Sequence, residues 1–192
     1  KIKENVSGEA DMEKLKVVIA DDGERICRLI DVLIDWENLG MEIAGVARNG
    51  IEAYEAVQQH RPDILITDIR MPGMSGLELI EKVKGSCPQI EIIVISGYAH
   101  FEYAQQAIRF GVGHYLLKPI NKAELTETLV KLRERIGQRQ ETERDRQVLR
   151  QKDQENREYL RSRLFSAMLD GTGPVLTGQI LEQEYGIVLK PG

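Results

Sequence analysis

The chain has 192 residues, a formal net charge of −5, and 42% hydrophobic against 30% charged residues. That length allows one ordinary domain with an appendage, and a domain of about 120 residues buries enough surface to fold unaided. Two cysteines, Cys27 and Cys87, exclude a disulfide framework and suit a reducing, cytoplasmic compartment. No apolar run reaches the roughly 18 to 20 residues of a membrane helix, and the mild acidity argues against strong nucleic-acid binding by this chain alone.

Residues 1–14 are polar and without period, and read as a flexible leader. The apolar run Val17-Val18-Ile19 follows and ends in Asp21-Asp22. Ile26, Leu29, Ile30, Leu33 and Ile34 then recur at helical spacing, with Gly40 as the end of that helix. Residues 42–46 form a second short run. Asn49-Gly50 opens a second helix carrying Ala53, Ala56 and Val57. Ile64-Leu65-Ile66 leads into Thr67-Asp68. Ser75-Gly76 starts a third helix with Leu77, Leu79, Ile80 and Val83. Residues 92–95 end at Ser96, and a fourth helix carries Phe101, Ala104, Ala107 and Ile108 before Gly111. Residues 114–117 lead to Lys118-Pro119. Asn121 caps a fifth helix with Leu125, Leu129, Leu132 and Ile136.

Successive runs lie about 20 to 28 residues apart, the spacing of strands joined by helical crossovers. The runs at 17, 64 and 92 are apolar without alternation, as central parallel strands covered on both faces are. Five such units predict an α/β, doubly wound parallel sheet over residues 15–137.

Past Gly137 the composition changes. Residues 138–158 hold six basic and six acidic side chains, with only Val148 and Leu149 strongly apolar. Residues 138–170 therefore read as a charged helical linker, either a solvated rod or one seam of a coiled coil. A strict heptad continued from Leu125 places Arg139, Glu143, Arg146 and Arg150 on that seam, which weakens the coiled-coil reading. Residues 171–173 and Pro174 are a break, and 175–185 suggest a short helix. Residues 171–192 read as the start of a truncated further region.

Parallel topology brings Asp21, Asp22, Asp68, Ser96 and Lys118 to one edge of the sheet, where ligands of doubly wound folds bind. Three carboxylates in one crevice repel one another unless a cation is present, and Mg²⁺ prefers such oxygen ligands. A lysine and a serine hydroxyl there suit phosphoryl oxygens, and a carboxylate can serve as nucleophile.

These residues resemble the receiver domain of two-component response regulators. The motifs are Asp21-Asp22, the run from Asp63 through Asp68 and Met71-Pro72-Gly73 to Gly76, Ile95-Ser96-Gly97, and Tyr115 to Lys118-Pro119. The resemblance implies the flavodoxin- or CheY-like strand order 2-1-3-4-5 with a C-terminal helical extension. It implies that Asp68 accepts a phosphoryl group from a sensor histidine kinase. It also implies that Asp21, Asp22, Asp68 and the backbone carbonyl of Arg70 hold Mg²⁺. Ser96 and Lys118 would bind the phosphoryl oxygens, Lys118-Pro119 would be a cis peptide, and Ser96 with Tyr115 would form the switch. The fourth helix, fifth strand and fifth helix would then favour a homodimer. Residues 34–40 and 96–104 resemble the subgroup with an AraC-type DNA-binding output, so DNA is reached only through a C-terminal domain absent from this chain.

One departure stands out. Gly23-Glu24 occupies the place where the family carries a third acidic residue, so either Glu24 supplies that charge from one position later or the loop is looser. Two other readings compete. A stand-alone receiver would serve as a phosphorelay intermediate or scaffold. An aspartyl phosphatase of the haloacid dehalogenase type would need a second aspartate two residues after the nucleophile, where Arg70 stands.

Overall fold

The computed structural model describes residues 14–97 and 101–169. The elements alternate as β1 (Leu15–Ala20), α1 (Glu24–Leu33), β2 (Met41–Ala47), α2 (Gly50–His60), β3 (Ile64–Thr67), α3 (Gly76–Ser86), β4 (Glu91–Ser96), α4 (Phe101–Arg109), β5 (His114–Leu117) and α5 (Lys122–Leu169). The strands pair in parallel in the order β2-β1-β3-β4-β5. This is the CheY-like arrangement.

Residue alternation along the strands explains the layering. Val17, Ile19, Ile64, Ile66, Ile93 and Ile95 face one side and pack with Ile30 of α1 and Leu125, Leu129, Leu132 and Ile136 of α5. Val18, Leu65, Ile92 and Val94 face the other side and pack with α2, α3 and α4. Because both faces are covered, none of these strand residues is more than 1% exposed. The four α5 side chains are equally buried, and each contributes about 1.5–3 kcal/mol by leaving water.

The helix starts are set by local chemistry. Asn49 Oδ1 accepts from Glu52 N, and Asn121 Oδ1 accepts from Ala123 N. Ser75 and Glu78 form a reciprocal capping box at α3, which places that helix N-terminus close behind Asp68 in sequence.

Two expectations need correction. Helix α1 stops at Leu33, well before Gly40, because Ile34 is extended (φ −102°, ψ 136°). Asp35 then organises a separate turn: its carboxylate accepts from the Asn38 amide, and Gly40 closes the turn at φ +61°. Leu29 and Ile108, read as buried faces, are 42% and 70% exposed, since each lies at the margin of its helix's apolar stripe. The fifth helix and the charged helical linker read after it form one helix, α5, which continues to Leu169.

The chain divides into two compact units between Ile136 and Gly137. In the second, residues 140–159 are all exposed side chains of helix. The leader residues 1–13, the break at 171–174 and the helix read over 175–185 lie outside the described residues.

His114 opens β5, half-buried at the sheet edge. Burial, with Arg135 and Lys131 nearby, holds its imidazole below the ordinary 6.5 despite the opposing pull of Glu91. A depressed folded-state value means protonation favours the unfolded chain. The stability tied to neutral His114 is therefore complete above about pH 6.5 and drains away as pH falls below it. Urea midpoints measured at about pH 7.5 and about pH 5.5 are expected to differ less in His114→Gln than in the parent chain.

Candidate functional site

Three strand ends deliver the site. Asp21 and Asp22 follow β1, Asp68 follows β3, and Lys118 follows β5. The Asp68 amide donates to Ala20 O at 2.8 Å, so the parallel ladder itself sets the first two loops side by side. The Asp21 amide likewise donates to Ala47 O at the end of β2.

The side chains converge. Asp21, Asp22 and Asp68 each place a carboxylate oxygen within 4.8 Å of the others. Lys118 Nζ donates to Asp21 Oδ2 at 2.7 Å and to Asp68 Oδ2 at 2.6 Å. The other oxygens are also engaged: Asp21 Oδ1 accepts from Gly23 N at 2.8 Å, and Asp68 Oδ1 accepts from Ile69 N. Asp21 and Asp68 are buried, while Asp22 is exposed. Below the site the Cys27 thiol donates to Asp21 O at 3.6 Å.

Burial pushes the Asp21 carboxyl above its usual range, against the opposing pull of Lys118 and Gly23. For Lys118, burial acts to lower the ammonium's value, but the hydrogen bonds to Asp21 and Asp68 outweigh it and hold the value above that of an ordinary lysine. The cluster therefore keeps its cation charged. Three carboxyl groups face this one ammonium, an excess of acidic over basic groups. An all-oxygen donor set with surplus negative charge fits a small hard dication such as Mg²⁺.

Glu24 does not join the cluster. Its carboxylate is held by Arg28, one turn on, and by Arg48 at 3.5 Å. Of the two readings of the Gly23-Glu24 departure, the one in which Glu24 supplies a third acidic ligand loses its geometric basis.

Ser96 is buried at the end of β4, and its carbonyl accepts from the Lys118 amide at 2.8 Å. The Lys118–Pro119 peptide is cis. Tyr115 is half-buried on β5 opposite Val94 and packs on the α2–α4 side of the sheet. An open cleft of about 580 Å³ adjoins the cluster, lined by Asp22, Arg70, Met71, Pro72, Leu77 and Tyr103. Sequence reasoning read Gly50 and Gly76 only as helix starts. The structure places both against the loop that follows Asp68, where an added Cβ would strike the backbone of Met74 or Asp68. The signal was present in the Asn49-Gly50 and Ser75-Gly76 pairs, but contacts that distant in sequence have no local signature.

A doubly wound sheet of this strand order, with three carboxylates and a lysine at its carboxyl edge, defines a CheY-like α/β signalling domain. Residues 17–130 match the response regulator receiver domain family, and the chain belongs to that family. It is similar to the transcriptional regulatory protein YesN of Bacillus subtilis, 47% identical over 114 residues, covering 59% of this chain and 31% of YesN. It is 37% identical over 117 residues to the transcriptional regulatory protein HptR of Staphylococcus aureus, covering 61% of this chain and 46% of HptR. Among solved structures, the receiver domain of AraT, a response regulator of Geobacillus stearothermophilus, superposes with a TM-score of 0.63 at 43% identity, covering 66% of this chain and 98% of that one. A two-component transcriptional regulator AraC of Clostridium phytofermentans gives a TM-score of 0.61 at 32% identity, covering 66% of this chain and 98% of that one. The chain thus spans between about a third and a half of the curated relatives named here, which are regulators of transcription. Among the described residues, no helix is long and apolar enough to cross a membrane.

Proposed function

We propose that this chain is the phosphoryl-accepting switch of a cytoplasmic transcriptional response regulator, with Asp68 as acceptor. The observation that carries this reading is the Asp68 carboxylate itself. It sits at the end of the central strand, with one oxygen on a backbone amide and the other on Lys118, beside two further carboxylates. Such a group is fixed in orientation, which is what in-line attack on phosphorus requires.

A carboxylate oxygen of Asp68 forms a bond to phosphorus as the P–N bond of a kinase phosphohistidine breaks, and the departing imidazole takes a proton. Asp21, Asp22, Asp68 and the Arg70 carbonyl would hold Mg²⁺, which neutralises charge on the phosphoryl oxygens when bound. Lys118 then pairs with a phosphoryl oxygen, and the Ser96 hydroxyl donates to another. The added charge and acceptors draw these groups inward, and Tyr115 turns toward Ser96. Apolar side chains left exposed on α4, β5 and α5, namely Ile108, Leu117 and Val130, support a change of pairing on that face. The output is homodimerisation, passed through α5 to an AraC-type DNA-binding domain in the full-length protein.

The test is intact mass after incubation with Mg²⁺ and a small phosphodonor. One phosphoryl group per chain is expected on the parent protein and none on Asp68→Asn. The same mass gain on the variant would defeat the proposal, and steady turnover of donor would point to an enzyme.

A further inference from the structure

We infer that Gly50, in the first turn of α2, is a positioning residue for phosphoryl acceptance, because its bare backbone lets α2 support the loop that carries Arg70. This inference rests on the function proposed above. A Cβ built at Gly50 would stand 2.3 Å from Met74 O and 2.9 Å from Met74 C. Both are backbone atoms, so nothing flexible can swing aside. The start of α2 therefore lies in direct contact with the β3–α3 loop.

The loop is gripped at a second point. Gly73 has φ +77°, and a Cβ there would lie 3.3 Å from the Ile51 Cδ1 atom. Within the loop, Met74 N donates to Pro72 O at 2.9 Å and Gly76 N to Ile69 O at 2.8 Å. A push on Met74 is thus carried back toward Ile69 and Arg70. Helix α2 is itself anchored, since Glu52 N donates to Asn49 Oδ1 and Arg48 N donates to Glu52 Oε2. Just upstream, Ala47 O accepts from the Asp21 amide. The short segment 47–50 therefore braces both carboxylate-bearing loops, while its Arg48 side chain pairs with Glu24 and its Asn49 side chain caps α2.

The local and the long-range accounts predict opposite signs. Glycine in a helix is ordinarily unfavourable, so alanine at position 50 should help α2 considered alone. If the loop contact governs, alanine should disturb the site.

The decisive comparison sets Gly50→Ala beside Val57→Ala, which removes buried methyl groups about two turns further along the same helix. The readouts are the Mg²⁺ dissociation constant by calorimetry, the rate of phosphoryl uptake from a small donor, and amide NMR shifts of residues 69–75. Gly50→Ala is expected to weaken Mg²⁺ binding about tenfold or more, as loss of support around a metal site commonly does, and to move those amide signals. Val57→Ala is expected to melt lower while keeping the parent affinity. Should Gly50→Ala not fold, Ile51→Ala keeps the glycine, removes the side chain facing Gly73, and is expected to weaken binding in the same direction. Parent-like affinity and uptake in the folded variant, or an equal loss in Val57→Ala, would overturn the inference alone. A parent protein that neither binds Mg²⁺ nor takes up phosphoryl would overturn the functional reading with it.

Discussion

Gly76→Ala is expected to destabilise the protein by about 3 kcal/mol, whereas Gly85→Ala in the same helix is expected to stabilise it by up to about 1 kcal/mol. The difference is entirely one of neighbours. A Cβ at Gly76 would stand 2.0 Å from Asp68 O and 2.9 Å from the Ile69 Cα, and both are backbone. Relieving that overlap means moving the loop, and with it the 2.8 Å bond from Gly76 N to Ile69 O. Overpacking against an unyielding wall costs about 1–3 kcal/mol and sometimes more, which exceeds the gain of up to about 1 kcal/mol from a better helix former. At Gly85 a Cβ would meet nothing within 4 Å, so only the helix-forming gain remains. Thermal melts should separate the two variants by roughly 10 °C, with the parent between them. Equal melting temperatures would mean that the loop behind Asp68 yields freely, contrary to the packing described. Because the same loop carries Asp68, Gly76→Ala is also expected to slow phosphoryl uptake even at temperatures where it remains folded.

Lys118→Ala carries the second large effect, and its size depends on the ion present. The ammonium lies 2.7 Å from Asp21 and 2.6 Å from Asp68, with side-chain exposures of 21%, 4% and 10% respectively. Removing one partner of a buried ionic cluster strands the others, at a cost of about 3–5 kcal/mol when the group is fully enclosed. Lys118 is partly open to water, so about 2–3 kcal/mol is the expected loss in chelator. A dication can take over the vacated role. The variant presents three carboxylates with no ammonium, so its stabilisation by Mg²⁺ should exceed that of the parent, and saturation at about a hundredfold excess over Kd adds about 2.7 kcal/mol. Urea melts with and without Mg²⁺ check both halves. A variant as stable as the parent in chelator, or one indifferent to Mg²⁺, would show that the carboxylates are not electrostatically coupled through this lysine. Phosphoryl uptake is expected to stay depressed in either case, because under the proposed function a bound ion would not replace the donor that Lys118 would offer to the phosphoryl group.

Much of this architecture is legible in the sequence. Strands β1, β3 and β4 are legible because burial on both faces favours unbroken apolar runs, and one as short as Ile64-Leu65-Ile66 between polar segments suits a covered strand far better than a surface helix. Asp21, Asp22, Asp68 and Lys118 were found the same way: topology alone sends the carboxyl ends of parallel strands to one edge. What escaped depends on geometry that no local pattern encodes. Leu29 and Ile108 sit at the edge of their helical stripes, where a small rotation decides between core and solvent. The end of α1 was misplaced because Gly40 looked like a helix stop, while the turn at Asp35 intervenes. Whether Glu24 supplies the missing charge or the loop is looser is open in the sequence, and the pairing of Glu24 with Arg28 and Arg48 decides against the first. The tight seats of Gly50 and Gly76 join segments that approach one another only in the folded chain.

Chemical mapping of the acceptor tests the central claim most directly. After exposure to Mg²⁺ and a small phosphodonor, borohydride reduces an acyl phosphate to the alcohol and leaves free carboxylates untouched. Peptide mass mapping should then find a single reduced residue, at position 68. Reduction at Asp21 or Asp22 instead, or a borohydride-stable phosphoryl group on the Ser96 hydroxyl, would contradict the account.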